Sequence, residues 1–294
     1  MKSLMKKVRY FLEYIIFVSL TSLLRILSID KSADICAKIA RIIGPYLKVS
    51  HIARKNLRLA YKGMDIDLEN KIIDQLWDNF GRFIGEFPHL HTLSPEEFIQ
   101  RVEIIGLENI KPFQDNNQPF ILFSGHLANW EFVPYIYSLF YPCIATVYRK
   151  ANNPFVNNLI KKWRDLPGVR LIEKGPHGSQ DLVKALKSKC SLAMLVDQKM
   201  NEGISVPLFG IPAMTAPAIA KFSVQFNYPI IPLQIIRTEG SYFKVILSPA
   251  IDRPITEDKD DAVFKIMENI NGILEHWIKE NPGQWFWFHN RWGK

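Results

Sequence analysis

Apolar positions in the first hundred residues recur at helical spacing. Tyr10 to Leu27 reads YFLEYIIFVSLTSLLRIL, broken only by Glu13 and Arg25, and the stretch between those charges, Tyr14 to Leu24, has 11 residues. A membrane-spanning helix needs about 20 apolar residues, down to about 17. Counted from Val8 to Ile29, with both charges near its ends, the segment reaches a short span. As an amphipathic helix it would instead lie flat with one face buried in lipid. Residues 33–62 and 68–89 read as helices, the latter from Ile72, Leu76, Phe80, Phe83 and Phe87 at three- and four-residue steps. Ser94, Pro95, Glu96 and Glu97 predict a short helix with a serine cap, a first-turn proline and acids at its positive end.

The pattern changes near residue 101. Short apolar runs at Val102–Ile105, Phe120–Ser124, Ile144–Tyr148, Val169–Ile172, Leu192–Val196, Ile230–Ile236 and Tyr242–Leu247 predict strands. Helical stretches at 130–140, 153–165, 178–189, 214–227 and 259–281 alternate with them. Such alternation predicts an α/β fold with a largely parallel central sheet flanked by helices. Three regions follow: an N-terminal membrane-anchoring or amphipathic helix over 1–30, a helical region over 31–100 and an α/β core over 101–294.

Charge sharpens this division. The net charge of the 294-residue chain is +8, yet residues 1–62 hold 13 of the 37 Lys/Arg and only three of the 29 Asp/Glu. The basic character is therefore N-terminal, on the segment that is also apolar, and this combination points to an anionic lipid surface. Lys2, Lys6, Lys7 and Arg9 would hold that end on the cytoplasmic side. No zinc finger, RNA-recognition signature or basic heptad run is present, so nucleic acid is not an expected partner. The three cysteines, Cys36, Cys143 and Cys190, form no CxxC pair. Their sparse, odd count argues against a disulfide scaffold and suits a reducing compartment. The histidines lack partners at metal-ligand spacing, so no metal is expected.

Candidate chemistry centres on Ser124-Gly125-His126-Leu127-Ala128-Asn129-Trp130-Glu131, directly after the apolar run Pro119–Phe123. Ligands of α/β sheets sit beyond the carboxyl ends of strands. A histidine there, with Glu131 five residues on, offers an imidazole–carboxylate pair: the carboxylate fixes the tautomer and the free nitrogen takes a proton from a hydroxyl. The alternative is a helix-capping histidine and an unrelated first-turn glutamate. Asp197-Gln198 ends another apolar run and is expected on the same rim, binding sugar hydroxyls or holding an arginine. Thr215 is expected to cap the helix that contains Pro217.

The Ser124–Glu131 block resembles the HxxxxD/E block of glycerolipid acyltransferases and, more narrowly, that of the bacterial lipid A biosynthesis acyltransferases. Further matching pieces follow in order: Val147-Tyr148-Arg149 with Asn152-Asn153-Pro154, Trp163-Arg164, Val196-Asp197-Gln198, Val206-Pro207-Leu208-Phe209-Gly210, and the C-terminal Pro282-Gly283-Gln284-Trp285-Phe286-Trp287-Phe288-His289-Asn290-Arg291-Trp292. The basic, apolar N-terminus matches as well. Two positions depart from the pattern. Ala128 stands where glycine is commonest, tolerable if its φ is negative. Asn290 stands where a second arginine is usual.

The resemblance implies a glycerolipid-acyltransferase-like α/β fold with an N-terminal membrane-associating helical segment. It implies transfer of a fatty acyl chain from acyl carrier protein to a hydroxyl of an anionic lipid A precursor at the cell inner membrane, with the catalytic domain on the cytoplasmic face. His126 would be the general base and Glu131 its orienting partner. No covalent acyl-enzyme and no cofactor are implied, in keeping with the lack of a GxSxG elbow. Arg149, Arg164, Asp197, Gln198 and Asn129 are the candidate substrate contacts. The competing readings are a glycerolipid acyltransferase and a non-catalytic membrane lipid-binding protein. The C-terminal tryptophans are expected in the core, and His289 is expected to be structural.

Overall fold

The computed structural model describes residues 2–140 and 143–293. Four helices come first: α1 (Lys2–Ile26), α2 (Ile29–Ile43), α3 (Lys48–Ala60) and α4 (Ile66–Glu86). The single helix expected over 33–62 is two. Pro45 cannot donate to the helical ladder, so the chain passes through a 3₁₀ turn at Gly44–Tyr46, extends at Leu47 and restarts at Lys48. Helix α4 lies so close to α2 that a Cβ on Gly81 would sit 2.5 Å from the Ala37 Cα, and one on Gly85 2.5 Å from the Ser32 carbonyl oxygen. Two missing side chains thus set the seating of α4 and decide which of its faces turns outward.

The remaining elements are α5 (Pro95–Gln100), β1 (Val102–Ile105), α6 (Lys111–Asp115), β2 (Ile121–Ser124), α7 (Phe132–Phe140), β3 (Ile144–Tyr148), α8 (Pro154–Trp163), β4 (Val169–Glu173), α9 (Pro176–Lys187), β5 (Ser191–Leu195), β6 (Lys199–Leu208), β7 (Ile211–Thr215), α10 (Ala218–Phe226), β8 (Ile230–Glu239), β9 (Tyr242–Leu247) and α11 (Lys259–Glu280). The capping box at Ser94 forms as its residues predict, with Ser94 and Glu97 each bonding the other's backbone N–H. All seven predicted strands join one sheet in the order β1-β9-β8-β2-β5-β3-β4. The five strands from β8 to β4 are mutually parallel; β9 is antiparallel to β8, and β1 runs parallel to β9. The expected largely parallel α/β sheet is therefore present. Strand β2 is buried along its whole length, with Phe123 stacked 5.6 Å from Trp277 of α11.

The hairpin β6–β7 was not expected. Pro207 and Pro212 read as loop punctuation, yet both sit in paired positions opposite each other, and Phe209-Gly210, both with positive φ, make the two-residue turn. Met214 and Thr215, assigned to a helix by the sequence, belong to β7, and α10 starts only at Ala218. Thr215 does not cap it: its hydroxyl donates to the Ala213 carbonyl and accepts from Arg291. Cys143 and Cys190, expected unpaired, form a disulfide. They directly precede β3 and β5, and the pairing of Ile144 with Ser191 brings them side by side.

The helical region is tied into the sheet by polar contacts as well as by packing. Asn56 of α3 donates to the carbonyls of Trp287 and His289, and Asn79 of α4 donates to the Ala128 carbonyl. Helix α1 packs on α8 through rings: Tyr14 lies 5.9 Å from Phe155 and Phe17 lies 5.8 Å from Trp163. Its other side, including Val8, Leu12, Ile15, Ile16 and Leu23, is exposed. Among the described residues, no helix is long and apolar enough to cross a membrane.

Candidate active site

Strands β2 and β5 pair in register with Ser124 opposite Leu195. Two residues beyond those partners, at the carboxyl ends of both strands, stand His126 and Asp197. The register alone therefore brings the histidine beside a carboxylate 71 residues away. His126 Nδ1 lies 2.7 Å from Asp197 Oδ1, and the His126 backbone N–H donates to Asp197 Oδ2 at 2.7 Å. The Trp285 indole N–H donates to the same Oδ2 at 2.7 Å. Gly125 makes room for this approach: a Cβ there would meet Asp197 Oδ2 at 3.3 Å and Leu274 at 3.1 Å.

Asp197 is almost fully buried. Burial alone would push its carboxyl up. Attraction to the His126 ring, the two His126 donors and the Trp285 indole together outweigh it and hold the carboxyl at about 2. The carboxylate is thus ionised and accepts only, so Nδ1 carries the proton and Nε2 presents its lone pair outward. Gln198 Nε2 lies 3.2 Å from that lone pair.

The expected His126–Glu131 pair does not form. Both imidazole nitrogens are occupied by other residues, and Glu131 is taken by Arg164, which donates from Nε at 2.8 Å and from Nη2 in a bidentate fork. The reason is local. Glu131 sits at the entry to α7, where its backbone N–H is capped by the Asn129 side chain, and the α8 terminus carries Arg164 up to it. Asn129, expected to contact substrate, has its side chain engaged within the protein. It is fully buried, with its amide donating to Glu86 at 2.7 Å and its oxygen accepting from Glu131 N–H. Asp197, expected to touch sugar hydroxyls or an arginine, is spent on His126 and Trp285.

Glu86 links this loop to the core. It is fully buried and is gripped by both terminal nitrogens of Arg237, one at 3.0 Å, while Arg237 Nε donates to Asn79. Sequence reasoning missed Glu86 and Arg237. The one available signal was an acid within the apolar stretch Phe83–Phe87. The C-terminal block closes the loop from the other side: Ala128 N–H donates to the Gln284 carbonyl, and Phe286 N–H to the His126 carbonyl. Trp285 and Trp287 are fully buried, and His289 accepts from the Lys199 N–H at 2.6 Å. Burial lowers the His289 ring to about 4, so it stays a neutral acceptor. Ala128 has φ of +48°, not the negative value its tolerance required. The position does call for glycine, and alanine stands there under left-handed strain.

In front of His126 opens a cavity of about 310 Å³, lined near its mouth by Trp130, Glu131, Arg149, Arg164 and Gln198. Val133, Tyr137, Val147, Leu171 and Met194 also line it. The chemistry available is an oriented base on a cavity of mixed polar and apolar lining, with two guanidinium groups beside it.

The sequence model of the bacterial lipid A biosynthesis acyltransferases matches residues 1–294. The chain belongs to this family. It is 24% identical to a lipid A biosynthesis palmitoleoyltransferase of Escherichia coli (strain K12) over 260 residues, 86% of this chain and 82% of the relative. It is also 24% identical to a lipid A biosynthesis lauroyltransferase of the same organism over 250 residues, 82% and 78% of the two chains. Among solved structures it resembles the 1-acyl-sn-glycerophosphate acyltransferase PlsC of Thermotoga maritima, with 12% identity, a TM-score of 0.42 and coverage of 87% and 99%. In this acyltransferase the HxxxxE block thus contributes its two ends to different partners, His126 to Asp197 and Glu131 to Arg164.

Proposed function

We propose that this acyltransferase moves a fatty acyl chain from an acyl carrier protein thioester to a hydroxyl of a lipid A precursor. The observation that carries the reading is the His126–Asp197 pair on the wall of a cavity that combines apolar side chains with two arginines. His126 Nε2 removes the proton of the acceptor hydroxyl as its oxygen attacks the thioester carbonyl. Asp197 stabilises the positive charge that forms on the ring. The tetrahedral intermediate collapses, the carbon–sulfur bond breaks, and the imidazolium returns the proton to the leaving thiolate. No enzyme nucleophile is acylated. The Gln198 amide supplies an N–H beside Nε2 for the oxyanion.

Glu131 holds Arg164 in a fixed plane, and Arg164 and the exposed Arg149 meet the phosphates of the acceptor. The cavity takes the transferred chain. Helix α1 lies in the cytoplasmic leaflet of the inner membrane, its exposed apolar side in lipid and its lysines at the headgroups. Basic residues near the N-terminus are also the docking ground for acidic acyl carrier protein.

The test is mass spectrometry of lipid A precursor incubated with acyl carrier protein thioesters of mixed chain length, with parent and His126→Ala protein in detergent. A gain of one acyl group with the parent alone is expected. Acylation of a lysophospholipid instead would move the chain to a glycerolipid acceptor. No transfer to any acceptor by folded parent would leave a lipid-binding protein without turnover.

A further inference from the structure

Helix α4 carries an apolar stripe that the core covers only in part, at Phe80 against Phe286 and Phe288. Phe80, Phe83, Ile84 and Phe87 follow the i, i+3, i+4, i+7 rule of a buried helix face. Yet the three phenylalanines are only half-buried, and Ile84 is 44% exposed. The same side of α4 is covered earlier along its length, where Ile73 and Leu76 are buried. An apolar stripe left open on a folded protein marks a contact surface.

The stripe has two ends. At one, Phe83 stacks 4.3 Å from Trp130, whose ring stands 5.0 Å from that of His126. At the other, Phe87 lies 5.6 Å from Trp163, which in turn meets Phe17 of α1. A chain of aromatic rings thus runs from the helix with the exposed apolar side to the base. Arg164 lies alongside, its guanidinium 5.9 Å from the Phe87 ring, so an anionic head is matched where apolar chains would lie. The cavity at His126 takes its walls from α7, β3, β4 and β5 and none from α4; it adjoins the stripe at Trp130 and Arg164, which line it.

We propose that the α4 stripe together with Trp130 is the subsite for acyl chains already borne by the anionic acceptor lipid, distinct from the cavity that receives the chain being transferred. This rests on the acyl-transfer reading above. The acceptor leaves the bilayer along α1, keeps its chains on the α4 rings, and presents its hydroxyl to His126 without passing through water.

The test compares parent, Phe83→Ser and Ile84→Ser, as full chains in detergent micelles, on an anionic acylated disaccharide and on its deacylated head group. Expected is an acceptor KM raised about tenfold for Phe83→Ser and severalfold for Ile84→Ser. The kcat/KM ratio of acylated to deacylated acceptor should fall in step, while the thioester KM and product chain length stay as in the parent. An unchanged ratio, or a shift in product chain length, would overturn the proposal. Ile84→Ser, altering an exposed side chain, carries the test if Phe83→Ser does not fold. Should the parent acylate neither acceptor, the acyl-transfer reading is what fails. Quenching of tryptophan fluorescence by the same lipid with brominated chains then decides the subsite: quenching lost in Ile84→Ser supports it, and quenching equal to the parent's overturns it.

Discussion

Two arginine–carboxylate forks flank the Ser124–Glu131 loop, and they differ in one respect, access to water. Behind the loop, Glu86 and Arg237 are sealed, at 0% and 8% exposure, and every remaining contact goes to protein: Asn129 and Asn79 side chains and the Gly240 carbonyl. In front, Glu131 and Arg164 form the same fork on the wall of the cavity; Glu131 is buried too, but the Arg164 side chain is 19% exposed against 7% for Arg237. The chemistry of the pairs is alike, so their sequence signatures are alike. Burial gives the first a scaffold role, because either ion left alone would be an unpaired charge in the core. The second stands on a cavity wall, where its guanidinium still has donors to offer a ligand. A third carboxylate, Asp197, combines both traits: it is sealed, yet its partner His126 reaches the cavity.

The largest expected effect distinguishes Asp197 from Glu131. Asp197→Asn offers its amide to Nδ1, favours the wrong tautomer and should lower kcat by roughly 10³–10⁴-fold with the fold intact. Glu131→Gln, by contrast, should lower kcat/KM by about 10–100-fold, as expected for losing a charge-assisted positioning contact of about 1.5–3 kcal/mol. Steady-state kinetics on both variants checks this, and equal losses would erase the distinction.

Next, Glu86→Gln leaves Arg237 buried and unpaired and should cost about 3–5 kcal/mol of stability, whereas Glu131→Gln, whose partner Arg164 still reaches water, should cost less. Urea midpoints measure both. A Glu86→Gln protein as stable as the parent would show that the rear fork is not a scaffold.

The pH dependence gives a smaller effect. His289 has its ring lowered to about 4 by burial, so between about 6.5 and 4 the unfolded chain binds a proton that the native state does not. Its contribution to stability is complete above about 6.5 and declines as pH falls toward 4. Asp197, held at about 2, acts lower: its stabilisation is present above about 4 and disappears only as pH falls toward 2. Unfolding free energies at pH 7, 5.5 and 4.5 should therefore decline in the parent and decline less in His289→Gln. Smallest is Ala128→Gly, which relieves the left-handed strain of a residue at φ +48° and should raise stability by about 1 kcal/mol, read as a higher unfolding temperature.

Much of the fold was legible because it is local. Each sheet strand announces itself by a short apolar run, and His126 by following one of them. The helical break at Pro45 is also local and was overlooked rather than hidden. The β6–β7 hairpin was obscured because its prolines sit at paired positions that a reading by punctuation treats as loop.

The partner of His126 is a different case. Spacing offered Glu131, five residues away on the same loop, and the real carboxylate is Asp197, at the end of a strand contributed by a distant part of the chain. Sequence by itself determined the types of most elements, the place of His126 at a strand end and the family, since these depend on residue order and short-range geometry. Tertiary structure decided which carboxylate meets the base, which arginine fork is sealed and which face of α4 stays open. Those outcomes follow from the parallel register of β2 against β5 and the close seating of α4 on α2, and a register between distant strands leaves no local mark on the chain.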